Sequence, residues 1–254
     1  MILNADDFGY DAETNGAILQ SLQRWHCSST TLMANMPGFE EASGLAREHG
    51  LVGVIGVHWT VTEGFPLTDG IRACRLFCDT EGRFCLSRKQ RVVRLSRQEE
   101  EALAAELRAQ VARCRAHGIY AEHADTHRHV HEEWGILSVV IRVCRSEGIR
   151  KLRIARNMGA SAGIVRSLYR RAVNHRIRRA GLARSDWFGS AADYEYALKE
   201  GSLPAGSSVE VMVHPSWDGE GELIDATTAR RFSDMPWLRS AAAAGKEVGS
   251  SIVT

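Results

Sequence analysis

Short apolar or β-branched runs alternate along this chain with longer stretches whose apolar positions recur every three or four residues. Met1–Ala5 predicts a first strand that stops at two aspartates. Asp11–Trp25 predicts a helix, with Ala17, Ile18, Leu22 and Trp25 at helical spacing. Ser29–Ala34 predicts a second strand, Pro37–His49 a helix closed by Gly50, and Leu51–Trp59 a third strand. From Thr62 to Arg94, Gly, Pro and Asp fall at irregular spacing, which predicts a long loop or lid. Ser96 with Glu99 three residues later forms a capping-box pattern that opens a helix to about His117. Beyond it, strands are expected at Tyr120–Thr126, Lys151–Ala155, Ser185–Phe188 and Val209–Val213. Helices are expected at Glu132–Glu147, Ser161–Ala180, Ala191–Lys199 and over most of Asp225–Ala244, with a last extended segment at Val248–Val253.

Alternation of this kind predicts an α/β fold, a parallel sheet with helices outside it. A distorted (β/α) barrel is favoured over a doubly wound sheet. No Gly-rich phosphate loop follows the first strand, and polar clusters stand just after several strands, where a barrel assembles its active site. One domain over residues 1–254 is expected, with 62–94 as a loop or lid insertion. The composition, 44% hydrophobic and 25% charged, is that of an ordinary globular chain, and a net charge of +1 points to no class of partner. No 18-residue apolar run and no basic-then-apolar leader is present, so a cytoplasmic location is expected. The six scattered cysteines fit free thiols in a reducing compartment. Cys74, Cys78 and Cys85 lie close enough in sequence for a zinc cluster, but no fourth ligand is evident.

Four clusters carry candidate chemistry. Asp6 and Asp7, adjacent at the end of a buried strand, call for compensation of their charge, which a metal ion supplies; helix capping and solvation are the plainer reading. His58 closes the third strand. In Asp125-Thr126-His127-Arg128-His129-Val130-His131, an Asp and three His alternate. On an extended segment they would share one face, and imidazole is a favoured ligand of zinc and other transition metals. This pattern does not choose among His127, His129 and His131. His214, after the strand Val209–Val213, is a candidate general acid. Two histidines, a carboxylate and an open position make a hydrolytic metal site, and a second carboxylate with a further histidine suits amide hydrolysis.

These pieces resemble the YdjC-like carbohydrate deacetylases, a group that includes chitooligosaccharide deacetylases and hopanoid-associated homologues. The resemblance rests on Asn4-Ala5-Asp6-Asp7-Phe8-Gly9, residues 29–37, Gly56-Val57-His58, Thr62-Glu63-Gly64, Pro66-Leu67-Thr68, residues 125–131 and Val213-His214-Pro215, in the family's order. It implies a distorted barrel and one divalent metal, Mg2+ or Zn2+, held by Asp7, His58 and His127. It implies Asp6 as general base, His214 as acid or leaving-group stabiliser, and an N-acetylated sugar as substrate. Nitrogen donors lean towards zinc or another transition metal, because magnesium prefers oxygen. The sequence departs from the family where Arg128 replaces a third consecutive histidine, and at Trp59. Trp59 is a candidate for stacking on a sugar ring, with His129 and His131 as further substrate-binding candidates.

From Arg142 to Arg184 there are thirteen Lys or Arg and a single acid, Glu147. A solvated outer helix explains most of this; the sharper reading is peripheral contact with an anionic membrane or a lipid-linked, phosphate-bearing sugar. A homodimer is left open. The competing readings are a metal-dependent phosphoesterase and a non-catalytic carbohydrate- or nucleic-acid-binding protein. No nucleic-acid-binding motif accompanies the basic segment.

Overall fold

The computed structural model describes residues 1–24, 26–87, 90–160 and 163–238. In chain order the first elements are β1 (Ile2–Phe8), α1 (Ala12–Gln23), β2 (Ser29–Leu32), α2 (Phe39–Glu48), β3 (Ile55–Trp59) and the single-turn α3 (Asp69–Arg72). They are followed by α4 (Arg97–Ala116), β4 (His123–Thr126), α5 (Trp134–Ser146), β5 (Lys151–Leu152), α6 (Ile164–Arg179), β6 (Trp187–Ser190), α7 (Ala191–Lys199) and β7 (Val209–Val213). Three short strands close the described chain: β8 (Pro215–Trp217), β9 (Leu223–Asp225) and β10 (Arg230–Arg231).

The first seven strands form one parallel sheet in the order β5-β4-β3-β2-β1-β7-β6. Among the described residues, the β5 edge is joined to the segment leading into β6 by one parallel bridge, Leu152 to Ala183, in which Leu152 N–H donates to Leu182 O and Arg184 N–H to Leu152 O. The strands therefore wrap into a distorted α/β barrel with a weak seam between β5 and β6, as expected. Strands β2, β3 and β7 are buried at every position, as parallel strands covered on both faces must be. One hydrophobic core joins these strands to the inner faces of the helices. Among the described residues no helix is long and apolar enough to cross a membrane.

Local signals explain the helix starts. The Asp11 side chain accepts from Thr14 N–H to open α1, and Ser96 with Glu99 forms the predicted capping box of α4. The 62–94 segment is a long connection containing α3, and its first residues, 63–68, are fastened to the barrel. Buried Glu106 accepts from Leu67 N–H, Thr68 N–H and the Thr68 hydroxyl, while the Asn35 amide donates to Glu63 O and Phe65 O.

The C-terminal part corrects the sequence reading. Residues 225–235, expected to be mostly helical, instead finish a three-stranded antiparallel sheet ordered β10-β9-β8 and then turn through a 3-10 segment at Phe232–Asp234, and helix begins only at residues 236–238. The turn Asp218-Gly219-Glu220-Gly221 reverses the chain, with the Asp218 carboxylate accepting from Glu220 N–H and Glu222 N–H. Trp25, Ser161, residues 239–244 of the expected last helix and the 248–253 segment lie outside the described residues. The basic stretch is likewise not one surface: Arg153 and Arg184 point into the barrel, with side chains 0% and 4% exposed.

Candidate active site

β1 delivers two adjacent carboxylates to one end of the barrel, which a regular strand cannot do because successive side chains point to opposite faces. The register explains how. Ala5 pairs with Thr30 and Phe8 with Leu32, so three steps of β1 oppose two of β2, and Asp7 takes a left-handed backbone with φ 74°. That conformation costs a non-glycine residue of order 1–2 kcal/mol and persists where the surroundings fix it.

Asp7 Oδ1 lies 3.0 Å from His58 Nε2 at the end of β3 and 2.9 Å from His127 Nδ1 just after β4. The two imidazole nitrogens are 3.4 Å apart. One carboxylate oxygen and two ring nitrogens thus converge on one point, and all three side chains are buried or nearly so. Oxygen and nitrogen donors in this combination fit a divalent transition metal. Each histidine is backed on its other nitrogen. His58 Nδ1 lies 2.6 Å from Asp125 Oδ1, and His127 Nε2 lies 3.5 Å from Glu63 Oε1. Carboxylates in that position fix ring orientation and raise basicity.

The electrostatics follow from this crowding. Burial pushes the Asp7 carboxyl up, but the hydrogen bonds and charges of His127 and His58 outweigh it and hold the group well below the usual carboxylate range. Burial pulls His58 down, yet Asp125 and then Asp7 raise it to about 10. His127 is raised too, its burial being overcome by Asp7 and Glu63.

Asp6 turns inward. Its carboxylate is gripped by Arg153, Nη1 at 2.6 Å and Nη2 at 2.7 Å, and accepts from the Asn4 amide at 2.8 Å. The same guanidinium reaches Asp125 Oδ2 at 2.6 Å and Glu210 Oε1 at 2.8 Å. Glu210 also pairs with Arg184 at 3.1 Å. Arg153 therefore ties β1, β4 and β7 together from the end of β5. Asp6, His58 and Asp125 form a second close group, so Asp6 borders the first one.

His214 stands on the open side. Its Nε2 is 4.0 Å from Asp7 Oδ2, and its Nδ1 meets the Thr227 hydroxyl at 2.8 Å. The backbone is set by Asp225, which accepts from His214 N–H at 2.9 Å. The unexpected antiparallel sheet thus has a purpose: β9 ends in the residue that holds His214.

The expected alternating face of residues 125–131 does not form. β4 ends at Thr126, and Arg128 and His129 take φ of 54° and 55°, so the chain curls into a 3-10 turn. Asp125 and His127 remain at the site, His129 turns its ring towards Phe188, and His131 is fully buried with Nδ1 2.7 Å from the Thr126 hydroxyl. Burial lowers His131 to about 4, so it stays neutral. His131 therefore has no surface to offer a sugar. Trp59 is also fully buried, its indole N–H donating to Leu107 O at 3.0 Å, and it packs in the core where a stacking face was expected. Sequence reasoning missed Glu63, Arg153, Glu210, Asp225 and Thr227. A charge inside an apolar run, as in Leu152-Arg153-Ile154 and Val209-Glu210-Val211, was the available signal for two of them.

Comparison with known proteins gives a family and several named relatives. The family described as YdjC-like protein matches residues 1–246. A carbohydrate deacetylase of Geobacillus stearothermophilus is 32% identical over 219 residues, covering 85% of this chain and 79% of that protein. A chitooligosaccharide deacetylase of Klebsiella pneumoniae (strain 342) is 30% identical over 246 residues, covering 95% and 91%. A carbohydrate deacetylase of Brevibacillus brevis is 41% identical, over 56% of this chain and 54% of its own length. A crystal structure from Enterococcus faecalis V583 shares the fold, with TM-score 0.70, 21% identity and coverage of 94% and 92%.

Proposed function

Because the chain belongs to the YdjC-like family, we propose that it is a metal-dependent hydrolase that removes the N-acetyl group from an amino sugar. The observation that carries the reading is the convergence of Asp7 Oδ1, His58 Nε2 and His127 Nδ1, in a chain whose relatives are named carbohydrate and chitooligosaccharide deacetylases. These three residues would hold one divalent cation, and their two nitrogens favour zinc or another transition metal over magnesium. Bound there, a cation would supply Lewis acidity, lowering the pKa of water and polarising an amide carbonyl.

The remaining steps belong to side chains. Asp6 is the general base: it takes a proton from the water whose oxygen attacks the amide carbon. Arg153 supports that role by fixing both Asp6 oxygens and compensating their charge in a buried setting. The carbon–nitrogen bond then breaks, and His214 gives a proton to the departing sugar nitrogen. The imidazolium needed for this carries a proton on each ring nitrogen, and its Nδ1–H donates to the Thr227 hydroxyl oxygen, which suits the contact between them. Products are acetate and the free amino sugar. His129, at the rim, is the remaining substrate-binding candidate. Six unpaired thiols suit a reducing compartment, and a cytoplasmic location is part of the same reading.

Acetate release tests it. The panel is N-acetylglucosamine, N,N′-diacetylchitobiose and phosphate- or lipid-bearing N-acetyl sugars, each with zinc, magnesium, cobalt or manganese. Acetate from at least one pair is expected. Acetate from none, with release of inorganic phosphate from a sugar phosphate instead, would overturn the reading in favour of a phosphoesterase.

A further inference from the structure

The first two turns of α6 carry aliphatic side chains that the barrel leaves uncovered. Val173 and Ile177 in its later turns are buried, whereas Ile164 is 80%, Val165 83% and Leu168 58% exposed. A solvated outer helix would place polar groups there, and three neighbouring aliphatic side chains at such exposure mark a contact surface. Ile164 and Val165 line a cavity of about 1050 Å³. Arg128 and His129, the two residues after His127, line it as well, so it shares a wall with the candidate active site.

The cavity is also biased in charge. Among the described residues four arginines face two glutamates, and two of those arginines are already engaged, Arg91 with Glu133 and Arg128 with Glu63. Arg166 and Arg170 remain one helical turn apart, a spacing at which like charges repel. Burial pushes the Arg170 guanidinium down, the charge of Glu132 opposes this, and Arg156 and Arg166 add to the downward push. An anion between Arg166 and Arg170 would relieve this through charge-assisted hydrogen bonds.

We infer that this cavity receives the far end of the substrate, and that the substrate is an amino sugar whose aglycone carries a phosphate ester followed by a hydrocarbon chain. The sugar end of this statement rests on the deacetylase reading; the cavity end does not. The phosphate meets Arg166 and Arg170, and the hydrocarbon covers Ile164 and Val165. A neutral oligosaccharide would use neither. A nucleoside diphosphate shares the phosphate chemistry, and Trp134 and Tyr169 also line the cavity, but the exposed aliphatic side chains Ile164 and Val165 favour hydrocarbon over a base.

Calorimetric titration with geranyl phosphate tests this, with inorganic phosphate, geraniol and uridine diphosphate as separate arms. Geranyl phosphate should bind at least about tenfold more tightly than phosphate or geraniol, since burial of only a few methylenes accounts for that factor. In the double variant Arg166→Glu/Arg170→Glu the advantage should vanish, with acetate release from N,N′-diacetylchitobiose unchanged within about twofold, as for surface substitutions. Ile164→Ser/Val165→Ser, at exposed positions that do not bear on folding, should bring geranyl phosphate down to the affinity of phosphate. Equal binding of geranyl phosphate by wild type and the charge-reversed protein would overturn the assignment, and so would affinity no better than phosphate. Tighter binding of uridine diphosphate than of geranyl phosphate would overturn its hydrocarbon half. Expected binding without acetate from any amino sugar would overturn the deacetylase reading and support the cavity on its own.

Discussion

Replacing Arg153 with Met removes the one cation that touches three buried carboxylates at once, and its cost can be worked from the geometry. Asp6, Asp125 and Glu210 lie 2.6–2.8 Å from the guanidinium, and all are 0–3% exposed. Against these three anions stand Arg153, Arg184 and a protonated His58, so the interior is balanced. Without Arg153 one buried negative charge is uncompensated, and loss of one partner from such a network costs about 3–5 kcal/mol. Urea unfolding of chelator-treated protein at pH 7 should report that loss, with bound metal removed from the comparison. The pH dependence supplies the sign. In the wild type, burial raises Asp125 but the charges of Arg153 and His58 lower it below its ordinary 3.8, so its contribution is present above that value and is lost as pH falls. In Arg153→Met the buried Asp125 carboxylate loses the largest of the charges that lower it, so its folded pKa rises. The variant's deficit should then be largest at pH 7 and shrink as pH is lowered towards 5. A loss under about 1 kcal/mol, or a deficit that does not change with pH, would refute the balanced-interior argument.

Three further outcomes follow from the same geometry. Asp125→Asn should weaken metal binding by about 10–100-fold while leaving the three ligands in place, because it removes the carboxylate behind His58; competition with a chromogenic chelator reads this. In metal-free protein His58 keeps a proton up to about pH 10, so metal uptake at pH 8 should release protons and apparent affinity should rise with pH. Calorimetry in buffers of different ionisation enthalpy measures that release, and the same heat in every buffer would count against it. Thr227→Val should slow turnover without changing metal content, since it alters only the partner of His214 Nδ1.

Much of the barrel was legible because buried parallel strands are written as apolar runs and their helices as amphipathic stretches. The bounds Ala191–Lys199 and Val209–Val213 come out as read. The strand-end placement of Asp7, His58 and His127 was legible for the same reason. The alternating histidines misled, because a period of two assumes an extended chain. The left-handed residues Arg128 and His129 break the strand at the point where the pattern begins. Thr227 and Asp225 were hidden behind a helical reading of 225–244, although the Asp218-Gly219-Glu220-Gly221 turn is a hairpin signal that argues for strands on either side. Arg153 could not be told from its many neighbours by charge, only by its place between Leu152 and Ile154. Pairings across the barrel have no local signature: Arg153 and Asp6 are 147 residues apart.

Metal content and acetate release measured on the same preparations reach the centre of the account. Wild-type protein reconstituted with zinc should hold one ion per chain and release acetate from an N-acetylated sugar. Asp7→Ala, His58→Ala and His127→Ala should lose both together, whereas Asp6→Asn should keep the ion and lose about 10²–10⁴-fold in rate. A full complement of metal in any of the three alanine variants, or undiminished turnover in Asp6→Asn, would contradict it.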